Sequence, residues 1–189
     1  DAISYSKGAS IIRMLEQFIG PDLFQKGLYR YLSGHRYGNA RTNNLWEAME
    51  KESDQPVTTV MNSWIRQTGF PVIKADIQRQ GERVAVHLTQ QRFLYSGANQ
   101  DPTLWHVPIS VSGQEASGTD VGLLTERHAI LQVEKALPPS REGWVKLNSQ
   151  QTGFYRVEYA EDEWRRLIPA VESQELPAAD RLGLQGDAF

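Results

Sequence analysis

The apolar residues of this chain change their spacing twice, and that change limits the folds open to it. Near the N-terminus Ile3, Ile11, Met14, Leu15 and Phe18 recur at helical intervals, with Ile12 and Ile19 widening the stripe. Lys7, Arg13 and Gln17 lie off it. Gly20-Pro21 ends this helix, and Pro21 suits the first position of a second, with Phe24, Leu28, Tyr31 and Leu32 on its apolar face. Gly34 and Gly38 bracket a loop. Thr42, Asn43 and Asn44 offer N-caps to a third helix through Leu45, Trp46, Ala48 and Met49, with Glu47 placed to complete a capping box on Asn44. Pro56 opens a fourth helix with Val57, Val60, Met61, Trp64 and Ile65 on one side, and Gly69 and Pro71 end it.

The period then becomes two. Ile73, Ala75 and Ile77 alternate with Lys74, Asp76 and Gln78. After a turn near Gly81, Val84, Val86 and Leu88 alternate with Ala85, His87 and Thr89, which predicts a β-hairpin with one buried face. Trp105, Val107, Ile109 and Val111 repeat the pattern, and shorter strands are expected at 122–124, 129–133, 144–147 and 154–159. Segments 97–103 and 138–143 read as loops. Helical spacing returns with Trp164, Leu167, Ile168 and Val171, and Pro177 begins one more helix. Helices, then strands, then helices predict distinct segments of a larger protein rather than one mixed domain. The absence of an initiator Met, and a helical pattern still running at Asp187-Ala188-Phe189, lead to the same expectation of an internal piece.

Composition removes several functions. There is no cysteine, which excludes disulfides, thiolate metal sites and a Cys nucleophile. The net charge is −3, without a basic run, so nothing points to nucleic acid. The apolar runs fall short of the roughly 20 residues of a membrane helix. No H-E-x-x-H, G-x-S-x-G or phosphate-binding G-x-x-x-x-G-K-[ST] occurs. His35, His87, His106 and His128 include no pair at helical i, i+4 spacing, so no metal ligand is expected among them, and His87 and His106 read as solvated strand positions. Glu47, Glu50 and Glu52 read as the wet face of a helix. Ser4, Ser6 and Ser10 have only Lys7 near them as a base, a weak signal for a nucleophile. Taken by itself, Tyr5 is a packed aromatic with its hydroxyl at the surface.

The neighbours of Tyr5 alter that reading. The run Ile3-Ser4-Tyr5-Ser6-Lys7-Gly8-Ala9-Ser10-Ile11-Ile12-Arg13-Met14-Leu15 resembles the segment I-S-Y-x-K-G-A-x-V-L-R-M-L of the M1 family of zinc aminopeptidases, in its aminopeptidase N and puromycin-sensitive branch. Four more stretches follow in the family's order. Asn44 to Met49 is similar to D-L-W-x-x-L, and Trp64 to Ile73 to W-x-x-Q-x-G-[YF]-P-V-[IV]. Thr152 to Tyr159 is similar to G-[YF]-Y-R-V-x-Y, and Asp180, Arg181, Leu184 and Asp187-Ala188-Phe189 to D-R-x-x-L-x-x-D-A-F.

The resemblance implies three parts: residues 1–71 as the helical end of a thermolysin-like catalytic domain, 72–159 as a small β-sandwich, and 160–189 as the start of an α-helical C-terminal domain. It implies a parent that removes N-terminal amino acids from peptides, with zinc as its cofactor, and peptide substrates and the remaining domains of the same polypeptide as partners. The lack of cysteine fits a reducing compartment, so a cytoplasmic location is expected, with an exported or membrane-anchored parent as the alternative. Tyr5 matches the family tyrosine whose hydroxyl donates a hydrogen bond to the tetrahedral oxyanion. The family's zinc ligands and its G-x-M-E-N loop have no counterpart here, so the isolated chain is expected to bind no zinc with its own residues and to be inactive. Trp46 and Trp64 read as packing between helices, Lys7 and Arg13 as solvated or ion-paired, and Asp180-Arg181 as charges at a helix end. The alternative is a non-catalytic β-sandwich spacer or interaction module of a pseudo-enzyme.

Overall fold

A computed structural model describes residues 2–80, 83–95, 101–116, 118–134 and 143–188. The turn expected near Gly81 and most of the two expected loops lie outside the described residues. The chain divides into two compact units, Asp1–Thr68 and Gly69–Phe189.

The first unit is four helices, α1 (Ala2–Ile19), α2 (Pro21–Gly34), α3 (Thr42–Ser53) and α4 (Val57–Ile65). The expected stripes form its core: Ile11, Met14, Leu15 and Ile19 from α1, Trp46, Ala48 and Met49 from α3, and Val57, Val60, Met61 and Trp64 from α4. Burying a side chain of this size contributes about 1.5–3 kcal/mol, which is why the spacing alone predicts the helices. Both tryptophans pack as expected. Gly27 is the buried residue of α2, and it sits where α2 crosses α3. A methyl group there would overlap the Met49 sulfur and stand 3.1 Å from the Met49 Cα.

Three details differ from the sequence reading. Leu32 and Ile65, expected on apolar faces, are exposed, because each lies at the flank of its helix stripe where no described element covers it. Helix α3 starts at Thr42, so Asn44 is its third residue and its Oδ1 accepts the Arg41 backbone N–H at 2.9 Å. The expected box between Asn44 and Glu47 is thereby displaced towards the N-terminus. Glu50 and Glu52 are not simply solvated. The Glu50 carboxylate accepts the Thr58 N–H at 2.7 Å in the first turn of α4, where orphan donors and the helix dipole favour an anion, and Glu52 pairs with Arg30.

The second unit holds seven strands and two helices: β1 (Pro71–Gln80), β2 (Arg83–Arg92), β3 (Val107–Gly113), β4 (Asp120–Leu124), β5 (His128–Val133), β6 (Val145–Leu147), β7 (Arg156–Tyr159), α5 (Glu161–Glu172) and α6 (Ala178–Asp187). The strands form a four-stranded sheet in the order β5-β2-β1-β7 and a three-stranded sheet in the order β4-β3-β6. The β1–β2 hairpin is antiparallel with Ala75 opposite Leu88, while β7 runs parallel to β1, with Ile73 opposite Val157. Ile73, Ala75, Ile77, Val84, Val86 and Leu88 are buried and their alternates are not, as a period of two requires. Leu88 of one sheet and Ile109 of the other line the same small cavity, of about 50 Å³. Three strands start later than the periodicity predicts: Trp105, Trp144 and Tyr155 are buried but stand outside β3, β6 and β7.

Candidate functional site

Tyr5 lies in the second turn of α1 and is 81% exposed. Ser6, Gly8 and Ala9 beside it are exposed too, and from Tyr5 onward the first buried side chain of α1 is Ile11. The burial of Ile3 lies outside the described residues; within Tyr5–Ser10 the phenol faces outward. Lys7 is half-buried. Its Nζ donates to the main-chain carbonyl of Gln67 at 3.2 Å, just past the end of α4. The carbonyl end of a helix favours a cation, whereas burial pulls the Lys7 ammonium below the usual lysine range. Gln67 is itself held, its Nε2 donating to the Ser63 carbonyl at 2.7 Å. The Ser10 hydroxyl donates to the Ser6 carbonyl one turn back at 2.9 Å, a common use of serine within a helix rather than the setting of a nucleophile.

His35 ends α2, where its Nδ1 meets the Tyr31 carbonyl at 2.9 Å, and His128 on β5 meets the Thr89 hydroxyl at 3.0 Å. His87 and His106, expected to be solvated, are half-buried. Among the described residues no group of three or more His, Cys, Asp or Glu side chains gathers where a metal ion would sit.

Sequence reasoning missed a different set of polar residues, all in the second unit. Lys146 on β6 and Asp180 on α6 form a buried ion pair, Nζ to Oδ1 2.9 Å, with side chains 0% and 3% exposed. Asp180 lies at a helix end as expected, in the first turn of α6, but it is buried and turns inward to Lys146. The other two Lys146 protons go to the carbonyls of Leu147 (2.8 Å) and Asn148 (2.9 Å). Desolvation drags the Lys146 ammonium down and Asp180 pushes it back up. Arg79 on β1 and Glu163 on α5 make a second buried pair at 2.7 Å. Glu163 also accepts the Val145 N–H at 2.7 Å; desolvation raises its carboxyl against the pull of that bond and of Arg79. Near them, burial lifts the Asp187 carboxyl to about 6, opposed by the Val157 N–H and the charges of Lys146 and Arg156.

Two amides organise the turns of this unit. Gln90, fully buried, donates to the Trp105 and Glu126 carbonyls at 3.0 and 2.8 Å and accepts the Trp105 N–H at 2.9 Å. Asn148 adopts the left-handed conformation, accepts the Gly153 N–H at 2.7 Å and donates to the Gly153 and Tyr155 carbonyls. These groups satisfy buried backbone and charge, which is the chemistry of scaffolding. The signal that could have flagged Lys146 is the three-residue strand Val-Lys-Leu directly before an Asn, too short to separate from ordinary alternation.

No described helix is long and apolar enough to cross a membrane. Comparison with known proteins matches residues 1–64 to the peptidase family M1 domain and residues 144–189 to the ERAP1-like C-terminal domain. The chain is 39% identical over 191 residues to aminopeptidase M1-A of Oryza sativa subsp. japonica, a match covering 100% of this chain and 21% of that protein. It is 39% identical over 192 residues to the puromycin-sensitive aminopeptidase of Caenorhabditis elegans (99% and 20%) and 37% identical over 200 residues to the glutamyl aminopeptidase of Bitis rhinoceros (100% and 20%). The chain thus spans about a fifth of the length of the curated relatives it matches.

Proposed function

Because the chain belongs to the M1 peptidase family through residues 1–64, and continues into its ERAP1-like C-terminal domain through residues 144–189, we propose that it is a segment of a zinc aminopeptidase that contributes the oxyanion-stabilising Tyr5. The relatives carry aminopeptidase names along the whole of the matched chain. In this reading residues 1–71 are the helical end of a thermolysin-like catalytic domain, 72–159 a β-sandwich and 160–189 the opening of the α-helical domain. Zinc would be held by parts of the polypeptide outside this chain, and peptides are the substrates.

The observation that carries the reading is the outward phenol of Tyr5 inside the family-matched helix α1. Phenols keep their proton at neutral pH and donate a hydrogen bond without bringing a charge. When water attacks a peptide carbonyl, negative charge develops on its oxygen, and a donor held about 2.7–3.1 Å from that oxygen stabilises the transition state more than the ground state. A side chain buried in its own unit could not do this; Tyr5 has its hydroxyl available. The inward scaffolding of Lys146, Asp180, Arg79 and Glu163 supports a spacer role for the second unit within the same polypeptide.

The test is Tyr5→Phe in the complete polypeptide. Removing one oxyanion donor lowers kcat about 100- to 1,000-fold and leaves KM nearly unchanged. An unchanged kcat would remove Tyr5 from the mechanism.

A further inference from the structure

We propose that Lys7 is a positioning residue for Tyr5, acting through its bond to the Gln67 carbonyl; the inference rests on the reading of Tyr5 as oxyanion donor. From Tyr5 to Ser10 no side chain is fully buried, and among the residues whose burial is described the apolar anchors of α1 begin at Ile11. A methyl group added at Gly8 would meet nothing within 4 Å. A helix turn without a fully buried side chain opens locally at little free-energy cost. Yet an oxyanion donor has to be held within about 0.5 Å of its productive place, and a 1 Å error costs about 100-fold in rate.

Lys7 supplies a tertiary tie in this stretch. Its Nζ reaches the carbonyl of Gln67 at 3.2 Å, joining the turn that carries Tyr5 to the end of α4. The receiving end is fixed, since the Gln67 amide folds back to the Ser63 carbonyl at 2.7 Å and Trp64 one turn earlier is fully buried. The ammonium is partly desolvated, so its bond to a carbonyl is stronger than in water and its loss is not simply replaced by solvent. Lys7 and Tyr5 are two residues apart on a helix and point to different sides. The inward-turned Lys7 therefore anchors the turn, while Tyr5 is left outward for the reacting carbonyl. Lys7 touches no reacting atom in this scheme; it narrows the range of places the phenol occupies.

The experiment uses the complete polypeptide with a chromogenic aminoacyl anilide as substrate and compares wild type, Y5F, K7M, K7R and the Y5F/K7M pair. K7M keeps the apolar stem and deletes the donor. It is expected to lower kcat about tenfold with KM within about twofold, and K7R, which still donates to a carbonyl, to recover most of the loss. In the Y5F background K7M should lower kcat by less than about twofold further, because the group it positions is gone. Circular dichroism confirms that each variant is folded; should K7M unfold, Lys7→Leu, which also lacks a donor, carries the same comparison. A full-rate K7M, or a loss equal in both backgrounds, overturns the positioning role while leaving Tyr5 in place. An active Y5F with unchanged kcat overturns both the role of Tyr5 and the inference built on it.

Discussion

Replacing Lys146 by Met isolates the interaction on which the second unit leans most. The Lys146 ammonium has three protons and three acceptors: Asp180 Oδ1 at 2.9 Å and the carbonyls of Leu147 and Asn148 at 2.8 and 2.9 Å. Lys146→Met fills nearly the same volume and removes all three bonds. Asp180 is then a carboxylate 3% exposed with its counter-ion gone. Breaking one member of a buried pair costs about 3–5 kcal/mol. A domain of this size is stable by about 5–15 kcal/mol, so the substitution removes about a fifth or more of the total. Asp180→Leu strands the lysine instead, and its cost is limited because the already depressed ammonium can shed its proton. The Lys146→Met/Asp180→Leu pair removes both charges, and the carbonyls of Leu147 and Asn148 keep the Tyr159 hydroxyl (3.4 Å) and the Gln151 N–H (3.0 Å) as donors, so the loss is about 1–2 kcal/mol. The double variant should therefore be more stable than Lys146→Met alone. Urea midpoints followed by tryptophan fluorescence would measure this, with Trp144 close in sequence to the pair. A single-variant loss below about 1 kcal/mol, or a double loss equal to the sum of the singles, would refute the reasoning.

The other expectations are briefer. Asp187 has its carboxyl raised to about 6 in the fold against about 3.9 for an unfolded Asp, so the fold binds its proton more tightly. Its stabilising contribution is complete below about pH 4 and is lost as pH rises through 6, a swing of about 3 kcal/mol. Asp187→Asn should erase that slope relative to wild type in urea titrations between pH 4 and 7, and an unaltered slope would assign it elsewhere. Gly27→Val drives a side chain into Met49 across the α2–α3 crossing and should destabilise the first unit by about 1–3 kcal/mol, read as a lower urea midpoint. An unchanged midpoint would mean that the crossing is looser than the structure has it. Tyr5→Phe and the Lys7 series are decided by the kinetics given above.

Most elements were legible because periodicity reports one-sided burial directly. The stripe of α1 and the alternation of β1 and β2 carry their own answer in spacing. Where a stripe ends is less legible, because a helix sequence does not say how wide a face its neighbours cover; Leu32 and Ile65 were misjudged for that reason. Charges turned inward were not legible at all. Lys146 sits between Val145 and Leu147 exactly where an outward lysine would alternate, and the burial of all three residues comes from cover on both sides of a short strand. Its counter-ion, Asp180, arrives from a distant helix, and Arg79 and Glu163 meet in the same way. Tyr5 was distinguished by motif alone, since no physical property of an isolated helical tyrosine marks it out.

The inward pairs also govern where this chain tolerates being recombined. The ERAP1-like match begins at residue 144, which reads as a natural breakpoint for grafting a foreign helical domain. A cut there would separate β6 from β3 and β7 from β1, stripping an edge from each sheet, and would part Arg79 from Glu163. Chimeras joined at 143/144 should inherit exposed sheet edges and a stranded guanidinium, and so aggregate. A joint at Thr68-Gly69 severs neither helix nor strand, so residues 69–188 are better moved as a single cassette.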